Sequence, residues 1–373
     1  MRRFQFFVFA SLVLFAGRPL FATTYYVGSC HGGAYGTISA AIAAVPAGST
    51  IDVCPGTYPE QVVIDKELTL HGLNNSNSSQ AIITIPATGL VETSSIFFGS
   101  VAAQVEVTTG PVTITNITVD GTAGSNCPSS YYVGIFYAGG SSGTVGAVET
   151  RNQNCNSSGY GVGAENGAGV AKKVTIQNSN IHDSSQAEIV TWNDQSASTL
   201  TASIENNYVA SGTPYSVPLV LVGNTVAGTI SGNTISATSY QTAIETFSPL
   251  TTISANTILG GGTGVDAFAR ATISGNTFIN ASTAIGVNHA ATITSNRIFN
   301  STGYAIAFAH NGVTVENNTI VHSTPAGIDF ECFTGTVTGN IIDGAPIGID
   351  FVPGAFTGSN TFQNVAEVRN GGC

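Results

Sequence analysis

Between residues 228 and 362 one phrase returns six times: GTISGNTIS from Gly228, TTISANTIL from Thr251, ATISGNTFI from Ala271, ATITSNRIF from Ala291, VTVENNTIV from Val313 and GTVTGNIID from Gly335. Its asparagines fall at 233, 256, 276, 296, 318 and 340, with a less regular copy at 360, so the spacings are 23, 20, 20, 22, 22 and 20. A fixed period near twenty marks a solenoid. Each phrase alternates apolar with polar residues and is rich in Thr, Ile and Val, which is strand chemistry. The SGN, SAN and ENN triplets interrupt it with turn residues. A second apolar run follows in every unit, from AIETF at Ala243 to GIDFV at Gly348. Its Ile244, Val265, Ile285, Ile306, Ile328 and Ile349 recur every 20 to 22 residues and predict an internal aliphatic ladder. The Leu pattern of a horseshoe repeat is missing, so three strands per turn predict a coil of parallel β-helix.

The asparagines have a physical reason to recur. Stacked at the strand spacing of about 4.8 Å, their amides can bond along the column and satisfy turn groups that would otherwise be buried unpaired.

Upstream, YGTISAAIAAVPAGSTIDVCPGTYPEQVVIDKELTLHG from Tyr35 to Gly72 combines an amphipathic helical stretch, a strand and a turn built on Gly56, Tyr58 and Glu60. With the repeats, this segment resembles the right-handed parallel β-helices of the pectin lyase-like superfamily over nearly all of the chain after residue 22. The resemblance implies an all-β solenoid with a short N-terminal capping helix. Many activities share that fold, so it fixes no function.

Residues 1–22, MRRFQFFVFASLVLFAGRPLFA, have arginines at the start, an apolar run from Phe6 to Ala16 and an alanine before a cut after Ala22. They read as a secretory signal peptide, too short for an anchor. Residues 23–373 are then expected to form a single domain that is secreted, periplasmic or held at the cell surface, with no membrane span. Charged residues make up 8% of the chain, and without Arg2, Arg3 and Arg18 there remain 7 basic against 21 acidic residues, a net charge of −14. That balance argues against nucleic acid and anionic membranes as partners. Six cysteines suit an oxidising compartment. Neighbour pairing, Cys30 with Cys54, Cys127 with Cys155 and Cys332 with Cys373, is the simplest of the fifteen connectivities.

From Leu73 to about Val170 the pattern loosens, although Ile135, Val162 and Ile189 keep a spacing of 27 in the same internal role. The extra residues go into turn insertions, where binding is commonly built.

The interior is filled, so chemistry belongs outside. Alternation along the second run places one outward column through Val190, Val220, Glu245, Asp266, Gly286, Ala307, Asp329 and Asp350. A second runs through Glu165, Trp192, Val222, Phe247, Phe268, Asn288, Ala309 and Glu331. Two clusters follow. In the first, Glu245 and Asp266 occupy adjacent coils as the candidate catalytic pair, with Trp192, Phe247, Phe268, Arg270, Asn288 and His289 as candidate substrate-binding residues. Two carboxylates at strand spacing repel by about 3 kcal/mol at an effective dielectric near 20. Either they share a proton, or a cation sits between them. The resemblance implies calcium for that cation, as in carbohydrate lyases of this fold. The aromatic faces suit sugar rings. The second cluster is His310, Asp329, Glu331 and Asp350, next to Cys332. For both, a solvated acidic face that keeps the solenoid from aggregating is the alternative reading.

Departures from the family limit what is carried over. Gly56-Thr57-Tyr58-Pro59-Glu60 resembles pectin methylesterases, but their Gln-Asp-Thr-Leu and Arg-Pro-Trp stretches have no counterpart, and the Asn-Thr-Asp, Asp-Asp, Gly-His-Gly and Arg-Ile-Lys motifs of polygalacturonases are also missing. The expectation is therefore a protein that binds or degrades an extracellular polysaccharide, as a lyase, hydrolase or esterase of pectin or other uronate-rich glycans, against a non-catalytic β-helix that binds glycan or acts as a spacer. Basic residues are scarce on the regular coils, which counts against polyanionic substrates.

Overall fold

The computed structural model describes residues 23–74, 80–122, 127–167, 169–193, 199–210, 218–350 and 358–371. Residues 1–22, expected to be a signal peptide, lie outside them. Strands wind into three long parallel sheets, of 13, 13 and 14 strands. One turn of the coil shows the plan. Thr251–Ser254 lies in the first sheet, Thr257–Gly260 in the second and Thr263–Ala267 in the third; the next turn then begins with Ala271–Ser274, paired on the first. This is the right-handed parallel β-helix that the period implied.

The aliphatic ladder forms in register. Ile244, Val265, Ile285, Ile306, Ile328 and Ile349 are successive partners in the third sheet, and none is exposed. Ile135, Val162 and Ile189 extend it upward. Each such side chain contributes about 1.5–3 kcal/mol by leaving water.

The asparagine ladder begins one coil earlier than the repeats suggested, at Asn207. In each rung the backbone N–H and side-chain Nδ2 both donate to Oδ1 of the next asparagine; for Asn256 on Asn276 both distances are 2.9 Å. The same Nδ2 donates backward to a strand carbonyl, that of Ile230 at 2.9 Å. Asn207 Oδ1 accepts the N–H of Ser179, whose hydroxyl takes the N–H of Val148. Fully buried amides are thus paired at every rung, which removes the penalty for burying them.

The helix, Ile38–Ala44, carries Thr37 as its N-cap, and Glu60 accepts the N–H groups of Ile38 and Ser39 at 2.8 and 2.9 Å. Glu60 thereby offsets the first orphan donors of a one-helix cap. Tyr58 donates its hydroxyl to the Cys54 carbonyl at 2.7 Å. Cys30 is bonded to Cys54 and Cys127 to Cys155. The third expected pair includes Cys373, which lies outside the described residues.

Two features depart from expectation. The first is an antiparallel hairpin, Glu92–Ser95 against Gly99–Val107, that folds over the outer face of the third sheet. The second is a one-residue correction in the outward columns. Val220 partners Ile189 and Ile244 and faces inward with Val222. Leu221 takes the outward place between Val190 and Glu245, and Gly223 follows Val222 to stand between Trp192 and Phe247. Burying two valines decides the parity, since a slip of one residue reverses every side chain on a strand.

Candidate functional site

The third sheet is built with one face filled and the other free, and the hairpin divides that outer face. Over the earlier coils its turn is held by Glu165, which is buried and accepts Ser95 Oγ at 2.7 Å and the N–H groups of Ile96 and Phe97 at 3.1 Å. Phe98 then packs on Phe136, Tyr160 and Val190 in a second apolar cluster outside the coil. Phe97 meets Trp192 at 4.5 Å between ring centroids. Glu165 therefore anchors a loop.

Beyond Trp192 the face is open. Glu245 and Asp266 are direct partners on Thr242–Thr246 and Thr263–Ala267, both half-buried. Phe247 and Phe268 stack beside them, 4.8 Å between centroids and 8° from parallel, and Phe268 is 42% exposed. Trp192 sits over Gly223, where a β-carbon would collide with the indole. Asn288 donates Nδ2 to Asp266 Oδ1 at 3.1 Å. Burial, with the Asp266 charge adding to it, raises the pKa of Glu245; burial raises that of Asp266. The structure thus brings Glu245, Asp266, Phe247, Phe268 and Asn288 together. Arg270 stands aside, lining a cavity of about 320 Å³ with Thr272, Thr292 and Thr314 of the first sheet.

The second cluster is more buried than the sequence suggested. Asp329 and Asp350 are partners on adjacent strands, 2% and 4% exposed. Asp329 Oδ1 accepts the Glu331 N–H and Asp350 Oδ1 accepts Asn370 Nδ2, both at 2.9 Å. Burial, reinforced by the charges of Glu331 and Asp350, pushes the Asp329 carboxyl up to about 6. Tyr304, missed in the sequence, is near these three: burial first, then their charges, raise its hydroxyl pKa. His310 lies one coil before Glu331, as expected, but also reaches the first cluster. Its ring stacks on His289 of the first cluster, 4.6 Å between centroids, because imidazoles at like positions of adjacent coils meet face to face.

Sequence reading also missed an ion network on the outside of the second sheet. Arg151 bonds Asp120 at 2.9 Å and Glu149 at 3.0 Å, and His182 lies between Glu149 and Asp183. These are all four ion pairs among the described residues. The strands there are only three or four residues long, so alternation gave no signal.

Calcium takes six to eight oxygen ligands. Glu245 and Asp266 offer two carboxylates, Asn288 turns its amide nitrogen to Asp266, and no three His, Cys, Asp or Glu side chains converge among the described residues. This donor set does not make a resident calcium site. No described helix is long and apolar enough to cross a membrane.

Comparison with known proteins agrees with the coil. A family model described as a right-handed beta helix region matches residues 195–320 and 245–372. Among solved structures, the Dettilon tailspike protein gp208 aligns with a TM-score of 0.50 and 14% identity over 85% of this chain, which spans 62% of the tailspike. The A-module of the Azotobacter vinelandii mannuronan C-5 epimerase AlgE4 gives 0.48 and 14% over 89% and 91% of the two chains. The catalytic unit of the GH87 α-1,3-glucanase of Streptomyces thermodiastaticus gives 0.47 and 16% over 96% and 70%. No curated protein matches the sequence. The chain has a right-handed parallel β-helix fold, and likeness at this identity speaks for the fold alone.

Proposed function

We propose that this protein, exported by residues 1–22, binds a neutral extracellular polysaccharide along the open outer face of the third sheet and hydrolyses it at Glu245 and Asp266. One observation carries the reading: two outward carboxylates in register on adjacent coils, flanked by a stacked pair of phenyl rings of which Phe268 is exposed, on the part of the face that the hairpin leaves uncovered. With both pKa values raised, the pair holds a shared proton more readily than two free carboxylates would. The protonated member donates to the glycosidic oxygen. The ionised member activates water or attacks the anomeric carbon. Phe247 and Phe268 seat a sugar ring, Trp192 bounds the site on the hairpin side, and Asn288 orients Asp266. Neutral glycans fit better than uronates because the pair is itself two carboxylates and the exposed Glu331 continues the same face with negative charge. His289 stands at its edge, while Arg270 turns to the first sheet.

The test is a product assay on neutral and uronate glycans, with and without calcium, reading new reducing ends, unsaturated ends and released acyl groups. New reducing ends on a neutral glycan, lost by about 10²-fold or more in Glu245→Gln and Asp266→Asn, support the reading. Unchanged turnover in both variants removes this site, and binding without product leaves a glycan-binding, non-catalytic β-helix.

A further inference from the structure

Beside the hairpin lies a cavity of about 490 Å³, walled by residues 93–96 on one side and by the third sheet on the other. Two acids line it. Glu106 stands on Gly99–Val107 between Val63 and Phe136 and is 4% exposed, and Glu165 is 2% exposed. Alternation with the inward Val105 and Val107 turns Glu106 to this outer side.

The two acids differ in what they are given. Glu165 Oε2 accepts Ser95 Oγ and the N–H groups of Ile96 and Phe97, but Oε1 has only a share of the Ile96 N–H, at 3.1 Å. Oε1 faces Gly139, where an added β-carbon would stand 3.6 Å from it. Glu106 accepts no hydrogen bond among the described residues; the Thr93 hydroxyl bears on it but closes none. A carboxylate has about four acceptor positions, so most of those at Glu106 are unused.

A counter-charge is missing as well. None of the seven basic residues after residue 22 lines the cavity, and the four ion pairs among the described residues use other acids. Buried carboxylates are paired with a cation or take up a proton instead. Burial, with the Glu165 charge adding to it, raises the pKa of Glu106, and a cation beside it would reverse that shift. The complement is therefore a cation. Its size follows from the space: the volume falls within the range of sites for small organic molecules, and a bare metal ion would leave most of it to water. Around the acids stand the hydroxyls of Ser94 and Thr108 and the uncovered backbone of Gly139, which suit a hydroxylated ligand better than a hydrocarbon one. Glu165 also heads the outward column that continues through Trp192 to Phe247 and Phe268.

We propose that this cavity binds the protonated amine of an amino sugar, with Glu106 and Glu165 Oε1 accepting from the ammonium and Ser94 and Thr108 meeting the ring hydroxyls. The cation follows from the cavity alone; the choice of a sugar to carry it rests on the reading of the face beyond Trp192 as a glycan site. The cavity lies on the far side of the Phe97–Trp192 contact from Glu245 and Asp266 and does not depend on hydrolysis there.

Calorimetry and saturation-transfer NMR would titrate the full chain, near neutral pH, with methyl glucosaminide, methyl N-acetylglucosaminide, methyl glucoside and calcium chloride. Binding is read without turnover, so either reading can fail while the other stands. The glucosaminide should bind saturably, and about tenfold or more tighter than the two uncharged glycosides, as one charge-assisted hydrogen bond is worth. Glu106→Gln should lose that margin while its melting temperature stays equal or rises, because an uncompensated buried acid has gone. Ala138→Leu fills the cavity without touching a carboxyl; it should abolish binding and carries the test if the first variant fails to fold. No binding of the glucosaminide, or binding no tighter than that of the uncharged pair, overturns the proposal. Calcium that displaces the glucosaminide would make the cavity a metal site and overturn it too, as would a folded Glu106→Gln that binds like the parent.

Discussion

Glu188 shows how a single residue can defy the alternation that organises its neighbours. Counting from Ile189, it should point outward; instead it is 0% exposed, in the inward corner position that Ala243, Gly264, Ala284 and Ala305 fill in later coils. Ser184 N–H donates to Oε1 at 3.0 Å, while Oε2 has no partner. Burial pushes its pKa up to about 8. In the unfolded chain it titrates near 4.5, so between those values the folded state binds the extra proton and stability falls as pH rises. The contribution is complete below about 4.5 and gone above about 8. Melting curves from pH 5 to 8 should show that decline in the parent and a much flatter profile in Glu188→Gln; equal slopes in the two proteins would place the titration elsewhere. The residue was illegible in the sequence because an inward corner position breaks strict alternation. The asparagine ladder was legible because each rung demands the same side chain.

At the scale of the element, the hairpin of Glu92–Ser95 and Gly99–Val107 rests on one carboxylate. Glu165→Ala removes the acceptor for Ser95 Oγ and for the Ile96 and Phe97 N–H groups, and leaves those donors unsatisfied at about 1–3 kcal/mol each if they stay buried. The turn should lift while the coil beneath stays folded. Hydrogen exchange would rise in residues 95–98 alone, and the emission of Trp192, the one tryptophan of the chain, would shift to the red as Phe97 leaves it. Protection unchanged from the parent would mean that the Phe98 cluster holds the turn unaided. The sequence announced an insertion before Val170 but gave no sign of where it folds. Its partners, Glu165 and Trp192, lie about 70 to 95 residues later, and local patterning carries nothing across that distance.

At the scale of the whole molecule, the coil was readable because a fixed period repeats both the strand pattern and the turn residue. The outward face was readable only where coil length was constant. At Pro218–Val222, after a long insertion, the count slipped by one and misplaced Val220 and Val222. The pairing of Glu245 with Asp266 survived because the coils there are regular. Charge is a property of the entire surface: the chain carries −11 at pH 7, and the open face shares that sign. Recognition of a neutral glycan on it should then change by less than about twofold between low salt and about 0.5 M. A steep rise in affinity with salt would mean a polyanionic ligand whose repulsion is being screened.

The amide column gives the chain a ruler with one fixed mark per turn. From Asn207 to Asn233 a coil takes 26 residues, and from Asn256 to Asn276 it takes 20, yet both rungs close with bonds between 2.9 and 3.0 Å. Length is therefore free to vary everywhere except across that mark. Whole turns cut from one asparagine to the next are interchangeable modules, and foreign loops grafted at the other two corners would leave the stacking of the rod undisturbed.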